Sequence, residues 1–600
     1  MPEYKAPLRD MRFVLQEVFD AETHYKQIPG AEEVNGDLID AMLAEAGKFA
    51  ENVLSPLNRS GDEEGCTWSA DGVTTPKGFK DAYKQFCEAG LTGISADASH
   101  GGQGLPPSLG LCVSELMSGA NMSFSMYPGL TSGAVECIEQ DGTEEQKKTY
   151  LEKMNTGVWS GTMCLTEAHC GTDLGLLRTK AEPVGDGTYR VTGEKIFISA
   201  GEHDLTQNII HLVLARLPDA PAGTKGISLF IVPKFLVNED GSVGAANQVK
   251  CASIEHKMGI KASATCVMTF EDSIGYMVGE PHKGLRSMFV MMNVARLGTG
   301  LQGLAQGYSS FTGALAYARE RLQMRALTGP KFPDKPADPI IVHPDVRRML
   351  LTQKAFADGG RLLAVYCGLM ADVVRKKPGT EEASRAHAMM ELLTPIAKGF
   401  LTDTGFESTN LGMQVFGGHG FIREWGMEQL VRDCRILQQY EGANGIQALD
   451  LLGRKVLANG GQTLKVFTEE VLGFCETEKA DAELDKMFLQ PLRAHVQEWH
   501  ELVHKILELA IKNPDEAGAA SYDFMSYSGY TVLAYFFAKA AAVAKRGLAT
   551  GGADKDFYES KLATARFYME RLLPRTRGLV QSMLSGSENL MGMDESILGL

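Results

Sequence analysis

The sequence predicts an α+β protein of several domains, and three observations carry that expectation. The chain has 600 residues, whereas single hydrophobic cores stop growing near ~250 to 300 residues. Its hydrophobic texture changes from helical to alternating and back to helical along the chain. Helices and strands occupy separate blocks instead of alternating one by one, so no doubly wound parallel sheet is expected, nor the dinucleotide site that such a sheet builds.

The first block, 1–159, reads as helical, with apolar residues three and four apart in segments such as Leu38 to Val53. Its Gly101-Gly102-Gln103-Gly104-Leu105-Pro106-Pro107 stretch reads as a turn between helices, because no β-branched strand precedes it. The second block, 160–282, holds short alternating runs at Tyr189 to Thr192, Ile209 to Leu214, Ile227 to Val232 and Cys266 to Phe270, separated by Gly, Asp and Pro turns. The third block, 283–460, returns to the helical period over Leu285 to Glu320, Pro344 to Val374, Glu381 to Phe406 and Met427 to Leu457. Thr328 to Pro339, rich in Gly, Pro and Asp, reads there as an exposed loop. The fourth block, 461–600, follows the Gly460-Gly461 pair and is helical again.

Composition narrows the function. With 44% apolar and 22% charged residues the chain is of ordinary globular type. The balance of 59 Lys+Arg against 75 Asp+Glu, a formal charge of -16, would repel a phosphate backbone, so nucleic acid is not an expected partner. Eleven cysteines without a C-x-x-C pair or a Cys/His cluster suggest reduced thiols and no metal site. The opening Met1-Pro-Glu-Tyr-Lys lacks the features of a secretory or transit leader, and the longest apolar run, Thr531 to Val543, contains Lys539 and falls short of the ~20 residues a bilayer requires. A cytoplasmic protein without membrane insertion is expected.

Four segments carry chemistry. Met163 to Gly175 combines small residues, hydroxyls and turn formers whose N–H groups suit a ring or a phosphate. Gly193 to Gly201 sets an aromatic beside a hydroxyl at a strand end, and Gly412 to Phe421 and Tyr440 to Gln447 are rich in glycine. Each alone is weak. In this order and at these distances they resemble the acyl-CoA dehydrogenase family, with its T-E-x-x-x-G-S/T-D, G-x-K-x-W/F-I-T/S, F/L-G-G-x-G and Y-E-G segments. The match covers about residues 40 to 455. The added C-terminal block and the opening Tyr4 to Met11 resemble the longer subgroup of about 600 residues that includes 3-methylmercaptopropionyl-CoA dehydrogenases.

The resemblance implies a helical N-terminal domain, a middle β-barrel that binds flavin, a four-helix bundle carrying the catalytic glutamate, and an extra helical domain. It implies FAD-dependent oxidation of an acyl-CoA to its trans-2-enoyl product, in fatty acid β-oxidation or the related 3-methylmercaptopropionyl-CoA step, with electrons passed to an electron-transfer flavoprotein. Such chemistry needs a base, a hydride acceptor and donors to the developing enolate oxygen. The base implied is Glu441, a carboxylate whose proton affinity an apolar pocket would raise. A branch of the family carries its base before an arginine on an earlier helix, where this chain has Ala295 before Arg296.

For the flavin the resemblance implies Met163, Leu165 and Thr166 at the ring, Gly171 and Thr172 near the pyrophosphate, and Phe197 and Ser199 covering the ring and its N5. Arg321 is implied at the pyrophosphate of a neighbouring subunit, with Met324 beside it, Gln414, Gly417 and Gly418 toward the adenosine, and Ala443 and Gly445 completing the cofactor set. Arg296, Tyr440 and Gly442 are implied at the substrate. A site shared between subunits implies a homo-oligomer, a dimer above all. Phe197 and Ser199 depart conservatively from Trp and Thr, whereas Ala168-His169-Cys170 replaces the usual Pro-Gly-Ala; His169 reads as a local variant and not as a catalyst. Two other readings stand beside this one: an acyl-CoA oxidase using dioxygen, and a non-catalytic relative that binds nucleic acid. The latter needs a basic tail, and the fourth block has about five more acidic than basic residues.

Overall fold

The computed structural model describes residues 3–551 and 554–599. The chain folds into two compact units, residues 42–298 and residues 1–41 with 299–600.

In the first unit, helices Pro107–Ala120, Met122–Asp141 and Glu144–Asn155 precede a β domain. Their starts are written in the sequence: the Asn121 side chain accepts from the Phe124 N–H, and Thr143 and Gln146 cap Glu144–Asn155 reciprocally. A small hairpin, β1 (Thr67–Ser69) and β2 (Gly72–Thr74), interrupts the helical block. The mostly helical expectation did not include it, although Asp71-Gly72 is a hairpin turn signal.

The main sheet contains β3 (Trp159–Cys164), β4 (Lys180–Pro183), β5 (Tyr189–Ser199), β6 (Asn208–Arg216), β7 (Ile227–Pro233), β10 (Val249–Ile254) and β11 (Thr265–Val278); β8 (Phe235–Val237) and β9 (Val243–Ala246) form a separate ribbon. Strand β11 pairs with both β5 and β7, β7 with β6, β6 with β4, and β4 with β5. Five strands thus close into a ring, with β3 and β10 laid on its flanks. Strand β6 is buried on both faces. Its Ile210, Leu212 and Leu214 join Ile138, Leu151, Met154 and Trp159 in one core. The alternate residues Val213 and Ala215 join Val191, Phe230, Val232 and Phe270 in another.

The second unit is helical. Helix Gly284–Glu320 enters it at Thr299, followed by Pro344–Lys376, Glu381–Val415, Met427–Arg435 and Asn444–Leu449, and then by Gln462–Glu478, Gln490–Lys512, Asp515–Ala549, Lys555–Phe567 and Thr576–Met583. Small residues let the long helices touch: a Cβ at Gly300 would lie 2.6 Å from the Ala397 carbonyl oxygen and one at Gly303 2.5 Å from that of Leu401. The opening segment docks on the late helices. Lys561 pairs with Asp10 and, at 3.0 Å, with Asp358, and the Arg9 guanidinium stands 3.8 Å from the Phe557 ring centre.

One expected helix is not continuous. Met427 to Leu457 breaks after a short 3-10 turn, Ile436–Gln438, and resumes at Asn444. Glu441 and Gly442 take left-handed backbone, with φ of 57° and 86°, which a right-handed helix does not admit. Among the described residues no helix is long and apolar enough to cross a membrane, no group of three or more His, Cys, Asp or Glu is placed to hold a metal, and the eleven cysteines are free thiols.

Candidate active site

In the unit of residues 42–298, the first two motifs lie side by side. Strand β3 ends at Cys164, and the chain turns tightly, with the N–H groups of Glu167 and Cys170 each donating 2.9 Å to the other's carbonyl. The Glu167 carboxylate shapes this loop by accepting the N–H groups of Arg178 (2.7 Å) and Thr179 (3.0 Å) and the Thr179 hydroxyl (2.6 Å). Lys195, fully buried, donates 2.9 Å to Glu167 and 3.0 Å to the Leu165 carbonyl. Burial alone would raise the Glu167 carboxyl; the Lys195 charge and the donors around it override burial and hold it at about 2. The Ile196 N–H donates 2.9 Å to the Thr166 carbonyl, completing the tie between the segments.

Phe197 is the unusual residue here. The β5 register against β11 slips at this point, Phe197 takes φ 59°, and the residue is 59% exposed. A bulge of this kind re-aims a side chain at a cost of ~1–3 kcal/mol for the left-handed residue. Met163, Thr166 and Ser199 are half-buried beside it, Leu165 is buried, and Gly171 and Thr172 are exposed at the loop tip. An uncovered aromatic next to hydroxyls and an open glycine loop fits a planar ring carrying a phosphate tail. Arg296 is buried later in the unit, 5.7 Å from the Phe289 ring centre.

In the other unit, the turn at Glu441 is gripped from behind by helix Glu381–Val415. Lys398, also fully buried, donates 2.7 Å to the Gly442 carbonyl and 2.7 Å to the Asn444 side-chain oxygen. Gln447 donates 3.1 Å to the Glu441 carbonyl, and Asn444 donates 3.1 Å to the Gly399 carbonyl. The Tyr440 hydroxyl donates 2.6 Å to Gln302. Glu441 and Gly442 are half-buried, Ala443 and Gly445 exposed. A Cβ at Gly442 would collide with the Gln447 amide, so that position requires glycine twice, for room and for φ.

Arg321 and Met324 sit on a loop built around Asp338, whose buried carboxylate accepts the N–H groups of Ala326 (2.9 Å), Lys331 (3.1 Å) and Phe332 (2.8 Å). Met324 has φ 60° and is 76% exposed. One turn before Arg321, Tyr317 stacks on Phe416 at 4.1 Å and donates to or accepts from His419 at 2.8 Å. This brings the Arg321 loop to Gly417 and Gly418, which are exposed with nothing within 4 Å of a Cβ at either; Gln414 is exposed nearby. Open glycines of this kind admit a close approach by another molecule.

Four family models match, in chain order. The acyl-CoA dehydrogenase N-terminal domain covers residues 38–158, the middle domain 162–273, the C-terminal domain 282–457, and an acetyl-CoA dehydrogenase C-terminal-like domain 467–594. The chain belongs to the acyl-CoA dehydrogenase family. Among similar proteins, a 3-methylmercaptopropionyl-CoA dehydrogenase of Ruegeria pomeroyi is 42% identical over 95% of this chain and 96% of its own. A butyryl-CoA dehydrogenase of Syntrophomonas wolfei is 35% identical over 99% and 98%. A broad-specificity linear acyl-CoA dehydrogenase, FadE5, of Mycobacterium tuberculosis is 33% identical over 99% and 100%. The fold matches Caenorhabditis elegans ACDH-11 in complex with C11-CoA, with a TM-score of 0.77 at 18% identity over 96% of this chain and 95% of that one. It also matches an acyl-CoA dehydrogenase of Bacillus anthracis complexed with FAD, with a TM-score of 0.71 at 21% identity over 95% and 91%.

The chain is a FAD-dependent oxidoreductase of this family, with the helical, β, helical and added helical order expected of it. Sequence reasoning held Glu167, Lys195, Asn444 and Gln447 only as motif positions without a role, and did not single out Asp338 and Lys398, which with them hold the acyl-CoA dehydrogenase loops in shape. Lys398 had left a signal, a charge inside the apolar run Leu392 to Leu401.

Proposed function

We propose that Glu441 is the base that takes the proton from the carbon next to the thioester carbonyl of a bound acyl-CoA. The observation that carries this reading is the broken helix: left-handed backbone at a glutamate, held by a buried lysine and two amides, spends strain on aiming one carboxylate. Bound FAD supplies the hydride acceptor for the neighbouring carbon. Met163, Leu165, Thr166, Phe197 and Ser199 would hold its ring, and Gly171 and Thr172 its pyrophosphate. A second copy of the chain would contribute Arg321, Met324, Gln414, Gly417 and Gly418, which makes the protein a homodimer. Ala443 and Gly445 would lie along the cofactor, and Arg296, Tyr440 and Gly442 along the substrate. The Glu441 N–H polarises the thioester oxygen as charge develops there.

Short or methylthio-substituted acyl thioesters are the proposed substrates, supported by the full-length likeness to the Ruegeria and Syntrophomonas enzymes. An electron-transfer flavoprotein is the proposed acceptor, in the cytoplasm. The domain division 1–159, 160–282, 283–460 and 461–600 is proposed with it, the family models meeting close to its three internal limits, while the first model begins only at residue 38.

The test is anaerobic bleaching of the holoenzyme by propionyl-, butyryl-, octanoyl- and 3-methylmercaptopropionyl-CoA. Glu441→Gln should keep its FAD and lose bleaching by roughly 10^3-fold or more. A variant that bleaches at the wild-type rate overturns the assignment.

A further inference from the structure

The added C-terminal block reaches the base turn. Helix Asp515–Ala549 presses against Glu381–Val415 at two glycines: a methyl at Gly399 would overlap Met525, and one at Gly529 would overlap the Phe400 ring. One turn from Met525, the Tyr522 hydroxyl donates 2.7 Å to Oδ2 of Asp403. The other oxygen of that carboxylate, Oδ1, accepts from Gln438 Nε2 at 2.7 Å and from Asn444 Nδ2 at 2.8 Å. Gln438 and Asn444 stand on either side of the broken helix, three residues before and three after Glu441. A single carboxylate therefore clips both ends of the turn, and a phenol from the added block fixes the orientation of that carboxylate. Asn444 is the same residue whose side-chain oxygen receives Lys398, so the clip and the lysine grip share one amide.

We propose that Asp403, oriented by Tyr522 of the C-terminal block, is a positioning residue that sets where the Glu441 carboxylate stands over the substrate. The inference rests on Glu441 being the base. It gives the C-terminal block a part in the reaction rate, since a misplacement of ~1 Å at a reacting group costs on the order of 10^2-fold. Neither side chain touches the reacting atoms; both act through the turn.

The experiment uses the full-length holoenzyme and the thioester of the panel above that bleaches it fastest. FAD content, KM, kcat and the anaerobic bleaching rate are measured for Tyr522→Phe, Asp403→Ala, Asp403→Asn, the double variant Tyr522→Phe/Asp403→Ala, and Glu441→Gln. Tyr522→Phe should slow bleaching about 3- to 10-fold and Asp403→Ala about 30- to 100-fold, with FAD content unchanged and KM within about twofold. Asp403→Asn keeps an oxygen for Gln438 and Asn444 and should recover most of the rate. The double variant should be no slower than Asp403→Ala, because both changes act on one clip. Variants at 403 and 522 that melt earlier but bleach at the wild-type rate overturn the inference, as does an Asp403→Asn no faster than Asp403→Ala. If Glu441→Gln is inactive while these variants run at full speed, this inference alone fails; a fully active Glu441→Gln removes the assignment of the base beneath it.

Discussion

Two buried lysines do the same mechanical job in different chemical company. Lys195 reaches up from β5 to the Leu165 carbonyl, and Lys398 from its helix to the Gly442 carbonyl, each steadying a loop from below. Lys195 shares its ammonium with the loop's own carboxylate, Glu167, which also collects the N–H groups of Arg178 and Thr179. Lys398 shares its ammonium with an amide oxygen, and the grip on the turn falls on the backbone carbonyls of 441 and 442. The carboxylate of the first loop is thus part of the scaffold. The second turn is held by bonds that a glutamine at 441 would leave in place, so shape and acidity can be separated there.

Lys195→Met should have the largest effect of any change on this contrast. It strands the buried Glu167 carboxylate, a loss of ~3–5 kcal/mol, visible as a lowered Tm and as release of FAD from the purified protein. Lys398→Met should be milder in stability, ~1–3 kcal/mol for a carbonyl and an amide oxygen that each lose their ammonium donor, and should keep the flavin while slowing its reduction by substrate. Equal FAD loss in both variants would erase the distinction drawn here. The smallest effect near neutrality is on acid sensitivity. The Glu167 carboxyl, ordinarily at 4.5, is held at about 2 in the folded chain. A depressed carboxyl contributes stability that is fully present above pH 4.5 and is lost as pH falls through about 2. Unfolding followed by flavin fluorescence across that window should show a shallower acid limb for Glu167→Gln than for the wild type.

Much of the fold was legible because long periodic segments leave little choice. Pro344–Lys376 and Glu381–Val415 begin where Pro344 and Thr380 mark them, and the runs at Ile209 and Ile227 became β6 and β7. Ring closure was legible only through the family resemblance, which implied a barrel; β4 meets β6 at a single residue pair, Lys180 with Arg216, and no local pattern encodes so short a join. The break at Glu441 was half-legible. Gly442 and Gly445 announce a turn, but Ile436-Leu437-Gln438-Gln439-Tyr440 is acceptable helix, so a period-based reading runs through it. The motif residues marked where chemistry belongs. What holds them was mostly hidden: Lys398 showed only as a charge in an apolar run, Gln447 only as the end of the Tyr440 segment, and Asp403 looks like an ordinary helix residue until packing brings it under the turn.

The interlock at Gly399 and Gly529 bears on how this chain can be shortened. Phe400 and Met525 are both buried, so a gene ending near codon 460 would encode a bundle with an aromatic ring and a bare glycine groove facing water. Trimming the late helices to obtain a smaller catalyst would require rebuilding that seam with polar side chains. The two glycines and the residues opposite them should accordingly be inherited as a matched set.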